Sequence, residues 1–165
     1  MILTSQGLAR LQKAHETGEK AADISLDLGL TKSTIIIEGD TALLPDGARL
    51  NINNIRKTDE KSCYTILNEE LVKVQMFSPE TNRHYKLVPT KDWPTVTISG
   101  VPMHQKTRAT PKEDAIQKTS AVEIYGTVLD TCTGLGYTAS IAAKKADNVV
   151  TVEHDPNILE IARLN

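Results

Sequence analysis

The chain has few aromatics: one Trp, one Phe and four Tyr make up 4% of its 165 residues. A module that stacks bases on aromatic platforms needs more than that. An excess of charge of one sign is also missing. Lys and Arg number 19 and Asp and Glu 21, for a formal charge of −2. That balance gives no general electrostatic case for a nucleic acid or a membrane surface. Long apolar runs are absent too, the longest being three residues, as at Ile35-Ile36-Ile37. A spanning helix needs roughly 18 or more, so no membrane partner is expected. The opening Met-Ile-Leu-Thr-Ser-Gln has no basic flank followed by an apolar stretch, so no secretory leader is read and the expected location is cytoplasmic. Cysteine is scarce: Cys63 and Cys132 sit in unlike segments, and no disulfide framework is indicated. His15, His84, His104 and His154 show no metal-ligand spacing, and no metal is expected.

What is present changes character along the chain. Residues 4 to 17 read as an amphipathic helix, capped by Thr4 or Ser5 and ended by Gly18. From Asp23 the period shortens. Ile24, Leu26 and Leu28 alternate with polar residues and predict a half-buried strand. Further strands are expected at 33–38, 63–67, 71–77, 83–88 and 94–99, with one helical turn near 51–56. Residues 100–112 combine two prolines with three basic residues and read as a linker. Thr110 then caps a helix that opens with Pro111 and runs to about Glu123. The last forty residues read strand (127–130), glycine turn, helix (137–146), strand (149–153) and a helix capped by Asp155. That order begins a doubly wound α/β domain. The expected fold class is therefore α/β: a β-rich antiparallel N-terminal domain at 1–100, then a linker helix and an incomplete Rossmann-like domain at 101–165.

The chemistry concentrates at Thr127-Val-Leu-Asp-Thr-Cys-Thr-Gly-Leu-Gly-Tyr-Thr-Ala139 and Val149-Val-Thr-Val-Glu-His-Asp-Pro156. Gly134 and Gly136 let a backbone approach a ligand closely. Glu153, about 20 residues on, stands where an acid accepts hydrogen bonds from a ribose. A dinucleotide reading of Gly134-Leu-Gly136-Tyr-Thr-Ala139 is opposed by Asp130, a carboxylate where that pattern has an apolar strand. The bland readings are a tight turn for the glycines and a helix cap for Asp155.

Asp130-x-Cys132-x-Gly134-x-Gly136 resembles the first motif of the Rossmann-like S-adenosylmethionine-dependent methyltransferase superfamily, with Cys132 where a glycine is usual. Glu153-His154-Asp155-Pro156 resembles its second motif. Leu129 to Ala139, and Ser99-Gly-Val-Pro-Met103-His104, are similar to segments of predicted archaeal methyltransferases with a β-rich N-terminal region. The resemblance implies a transferase with S-adenosylmethionine as cofactor. It implies cofactor contacts from Asp130, Thr131, Cys132, Gly134, Gly136, Tyr137, Glu153 and His154. The acceptor would be RNA, a protein or a small molecule, and a homo-oligomer is allowed. The superfamily's acceptor motif does not occur before Asn165, so a fragment is expected, inactive alone, with its catalytic residues beyond Asn165. Two alternatives stand beside this reading. One is an aminopropyltransferase similar to spermidine synthases. The other is a non-catalytic adapter whose β domain binds a protein or RNA and whose nucleotide fold is vestigial.

Overall fold

A computed structural model describes residues 1–164. Asn165, where the sequence places the break in the last helix, lies outside the described residues. The chain divides into two units: Met1–Gln75 with Leu87–Pro89, and Met76–Lys86 with Thr90–Leu164.

The first unit begins with α1 (Ser5–Glu16), whose N-terminus is capped by the Thr4 hydroxyl accepting from the Gly7 N–H. Its buried stripe of Gly7, Leu8, Leu11 and Ala14 follows the expected helical spacing. Strands β1 (Ala21–Ile24), β2 (Ser33–Glu38), β3 (Thr41–Leu43) and β4 (Arg49–Asn51) form one antiparallel sheet in chain order. In β2, Ile35 and Ile37 are buried while Thr34, Ile36 and Glu38 face out, the period of two that a one-sided sheet requires. A 3-10 helix at Ile52–Lys57 buries Ile52 and Ile55. An antiparallel hairpin of β5 (Tyr64–Leu67) and β6 (Glu70–Lys73) follows. Leu8, Leu11, Ile35, Leu50, Ile52 and Tyr64 share one apolar core. Each fully buried aliphatic side chain there stabilises by about 1.5–3 kcal/mol.

Two strand expectations in this region need correction. The alternation at 24–28 does not extend β1. Ser25 Oγ accepts from the Gly29 N–H at 2.8 Å, and the Asp27 carboxylate accepts from the Thr31 N–H at 2.9 Å. These local bonds offer the backbone a turn in place of a ladder, and Leu28 takes a φ of +58° inside it. The run 71–77 is not one strand but two, β6 and β7 (Gln75–Ser78), broken at Val74. Val74 changes partners: its N–H donates to Cys63 O and its carbonyl accepts from the Leu87 N–H.

A second four-stranded sheet has the order β10-β9-β8-β7, with β8 at Arg83–Val88, β9 at Thr95–Ile98 and β10 at Val101–Pro102. β9 and β10 are antiparallel and meet through Ser99 and Gly100, both at positive φ. The rest of the second unit is α2 (Pro111–Ser120), β11 (Thr127–Asp130), α3 (Tyr137–Ala142), β12 (Asn148–Thr151) and α4 (Pro156–Ala162). Helix α2 opens with a full capping box: Thr110 Oγ1 accepts from the Glu113 N–H, and Glu113 accepts from the Thr110 N–H.

The doubly wound Rossmann-like sheet expected from the sequence is not what the chain forms. β11 and β12 are parallel but make a two-stranded sheet, while the other registered pairs are antiparallel. A doubly wound sheet reverses its strand order at a switch point. One parallel pair has no such point, and the described strands supply no other.

Candidate functional site

Strand β11 ends at Asp130, and the chain then turns through Thr131–Gly136 into α3. The turn is tight: the Gly136 N–H donates to Thr133 O at 2.7 Å, and the Thr133 N–H donates to Val152 O at 2.9 Å. Gly134 and Gly136 have φ of +53° and +79°. Such values are costly for a residue with a Cβ. At Gly134 a Cβ would also stand 3.2 Å from Met103 Sδ.

The two acids singled out in the sequence are both engaged within this turn. The Glu153 carboxylate accepts from the Gly134 N–H at 2.8 Å and from the Asp155 N–H at 3.0 Å, one bond to each oxygen. Asp130 Oδ2 accepts from the Thr138 hydroxyl at 2.9 Å, and Oδ1 takes a longer 3.4 Å contact from the Cys132 N–H. Asp155 caps α4 by accepting from the Asn157 N–H, and its other oxygen accepts from the Tyr85 hydroxyl at 2.7 Å. Burial works to raise the Asp155 carboxyl, but the bonds from Tyr85 and Asn157 outweigh it and hold it below its ordinary value.

Beside the turn lies a cavity of about 400 Å³, lined by Met103, His104, Asp114, Ala115, Lys118, Asp130, Cys132, Thr133, Gly134, Tyr137, Thr138 and Glu153. Of the residues expected from the sequence, Asp130, Cys132, Gly134, Tyr137 and Glu153 line it. Thr131, Gly136 and His154 are not among its walls. Asp114 and Lys118 are wall residues that sequence reasoning missed. The signal was available: the Thr110–Glu113 capping box fixes where α2 starts, and 114 and 118 then share one face as an i, i+4 pair. They form an ion pair at 2.6 Å.

His104 is the most perturbed group of the site. Its Nδ1 lies 2.8 Å from Thr95 Oγ1, and its own N–H donates to the same hydroxyl at 3.2 Å. Burial first, and then the nearby positive charge of Lys118, push its pKa down to about 4, with Asp114 opposing. The imidazole is therefore neutral at physiological pH. Tyr137 packs between this ring and Trp93, with ring centroids at 5.1 Å and 4.6 Å, and donates its hydroxyl hydrogen to Pro94 O.

Among the described residues no group of three or more His, Cys, Asp or Glu could hold a metal ion. Nor is any helix among them long and apolar enough to cross a membrane.

No family model matches the chain. It is similar to an uncharacterized protein of the archaeon Methanocaldococcus jannaschii. The two are 38% identical over 150 residues, a match that takes in 86% of this chain and 50% of the other. The chain thus spans about half the length of the curated relative it matches.

These findings correct the functional expectation. Membership of the Rossmann-like methyltransferase superfamily is not supported by any family model, and the relative carries no assigned activity. The transferase activity and S-adenosylmethionine as cofactor fall with the fold that implied them. The physical reason is in the turn. The motif residues are present, but they stand on a two-stranded pair, and their carboxylates are engaged locally, Glu153 by backbone N–H groups and Asp130 by the Thr138 hydroxyl.

Proposed function

We propose that the chain is a non-catalytic adapter that binds a protein partner. The observation that carries this reading is the engagement of both Glu153 oxygens by backbone N–H groups of its own turn. A carboxylate used in this way spends one lone pair of each oxygen on shaping its own loop. Between the alternatives raised by the sequence, this favours the adapter. Protein is favoured over RNA as partner because the charges nearly balance and aromatics are few. Asp130, Cys132, Gly134, Tyr137 and Glu153 then frame a structural cavity, and Thr131, Gly136 and His154 belong to the turn and the helix start. Cys63 and Cys132 are not joined in a disulfide, which suits a reducing, cytoplasmic setting.

Thermal melting in the presence of adenine nucleotides and S-adenosylmethionine tests the reading. The adapter leaves the melting temperature unchanged, and Glu153→Gln lowers it with or without ligand. A ligand-dependent rise that disappears in Glu153→Gln would overturn the proposal.

A further inference from the structure

Strands β11 and β12 are in parallel register, with Leu129 opposite Val150 and Val128 opposite Val149. Because side chains alternate, Leu129, Val150 and Val152 share one face and Val128 and Val149 the other. The second face also carries Asp130, which is bonded to Thr138 of α3. The first face is bare: Leu129 is 63% exposed, Val150 52% and Val152 49%. Parallel strands are ordinarily covered on both faces, since their crossovers lay helices on each. Here α3 covers one.

We infer that this bare face is a docking surface for an amphipathic helix of another polypeptide segment, one corresponding to the unmatched half of the archaeal relative. The inference rests on the adapter reading and names its partner. Half of the relative's length lies outside the match, which is chain enough to supply such a helix. A second copy of this chain fits the face less well. A stable symmetric interface buries about 800 Å² per partner, far more than three aliphatic side chains offer. A helix laid on an apolar face needs only a few anchors at i, i+3 and i+4 spacing.

The test co-expresses this chain with a tagged polypeptide covering the unmatched half of the relative. The expected result is a 1:1 complex, weakened at least tenfold by Val150→Lys or Leu129→Lys. Both positions are exposed, so each variant keeps the circular dichroism spectrum of the parent. Leu67→Lys, an exposed position in the first unit, leaves binding unchanged. The inference is overturned if no complex forms, or if the complex ignores both lysine variants. It is also overturned if the chain alone self-associates and Val150→Lys makes it monomeric, which would assign the face to a second copy. Failure here is separable from failure of the adapter reading, because only the latter produces a nucleotide-dependent melting shift.

Discussion

The core of the first unit and the turn after β11 in the second are held by different physics. In the first, α1, a four-stranded sheet and a 3-10 helix bury one contiguous set of aliphatic side chains, with Leu8, Leu11, Ile35 and Leu50 at most 1% exposed. In the second, the turn after β11 is held by carboxylates and hydroxyls. Exposed apolar side chains occur in both units, Leu129, Val150 and Tyr125 in the second and Leu67 in the first. The difference teaches how a loop can keep the residues of a ligand-binding motif and use them for shape. Burial is non-directional and tolerates variation. A polar clamp needs its donors and acceptors in place, because an unmade buried bond is costly.

The contrast is sharpest where the core is cut. Leu50→Ala removes a fully buried side chain from the first unit and is expected to cost about 2–5 kcal/mol, read from urea unfolding. A cost below about 1 kcal/mol would mean that this core is looser than its burial implies. Acid comes next. His104 is held neutral down to about pH 4, against an ordinary value of 6.5. Between those values the unfolded chain binds more protons. The stability that His104 lends is therefore complete above pH 6.5 and is lost as pH falls toward 4, by about 3 kcal/mol. Its ring proton shift, followed by NMR, should titrate near 4, and a midpoint near 6.5 would remove the effect. The first unit answers acid later. Lys73, bonded to Asp59, draws that carboxyl from 3.8 down to about 2, so its contribution is lost only below 3.8.

A smaller effect tests the clamp directly. Glu153→Gln leaves one side-chain oxygen for the two N–H groups of Gly134 and Asp155 and is expected to cost about 1–3 kcal/mol. Hydrogen exchange at those two amides should quicken together, and unchanged protection would show that the turn stands without the acid. The smallest effect is at the start of α2. Thr110→Ala removes a capping hydroxyl and should cost about 1 kcal/mol, visible as a small drop in melting temperature.

Much of the helical frame was legible in the sequence because caps are local. Thr4, Thr110 with Pro111, and Asp155 with Pro156 each mark a helix start that the structure contains. Helix α3 ends at Ala142, short of the expected Ala146. β2, β8 and β11 also fall where alternation or apolar runs place them. What escaped depends on non-local partners or on competing local bonds. The break at Val74 exists because Cys63 and Leu87 bond it in turn. The two-residue turn at Asn68-Glu69, both at positive φ, lacks the usual glycine. The site was legible as a cluster of residues, and five of the eight expected positions line the cavity. The direction of its carboxylates was not legible, since one pattern of acids and glycines serves a ligand and a backbone equally well.

The bond from Tyr85 to Asp155 joins residues 70 positions apart. On a ribosome that separation becomes time. The fully buried cluster of α1 and the first sheet has all its side chains once Tyr64 has been made. The strand that carries Tyr85 must wait for Asp155, a delay of roughly 4 to 14 seconds at ordinary rates of synthesis. Throughout it the phenol of β8 has no carboxylate to meet, and a chaperone would find its opening in that interval.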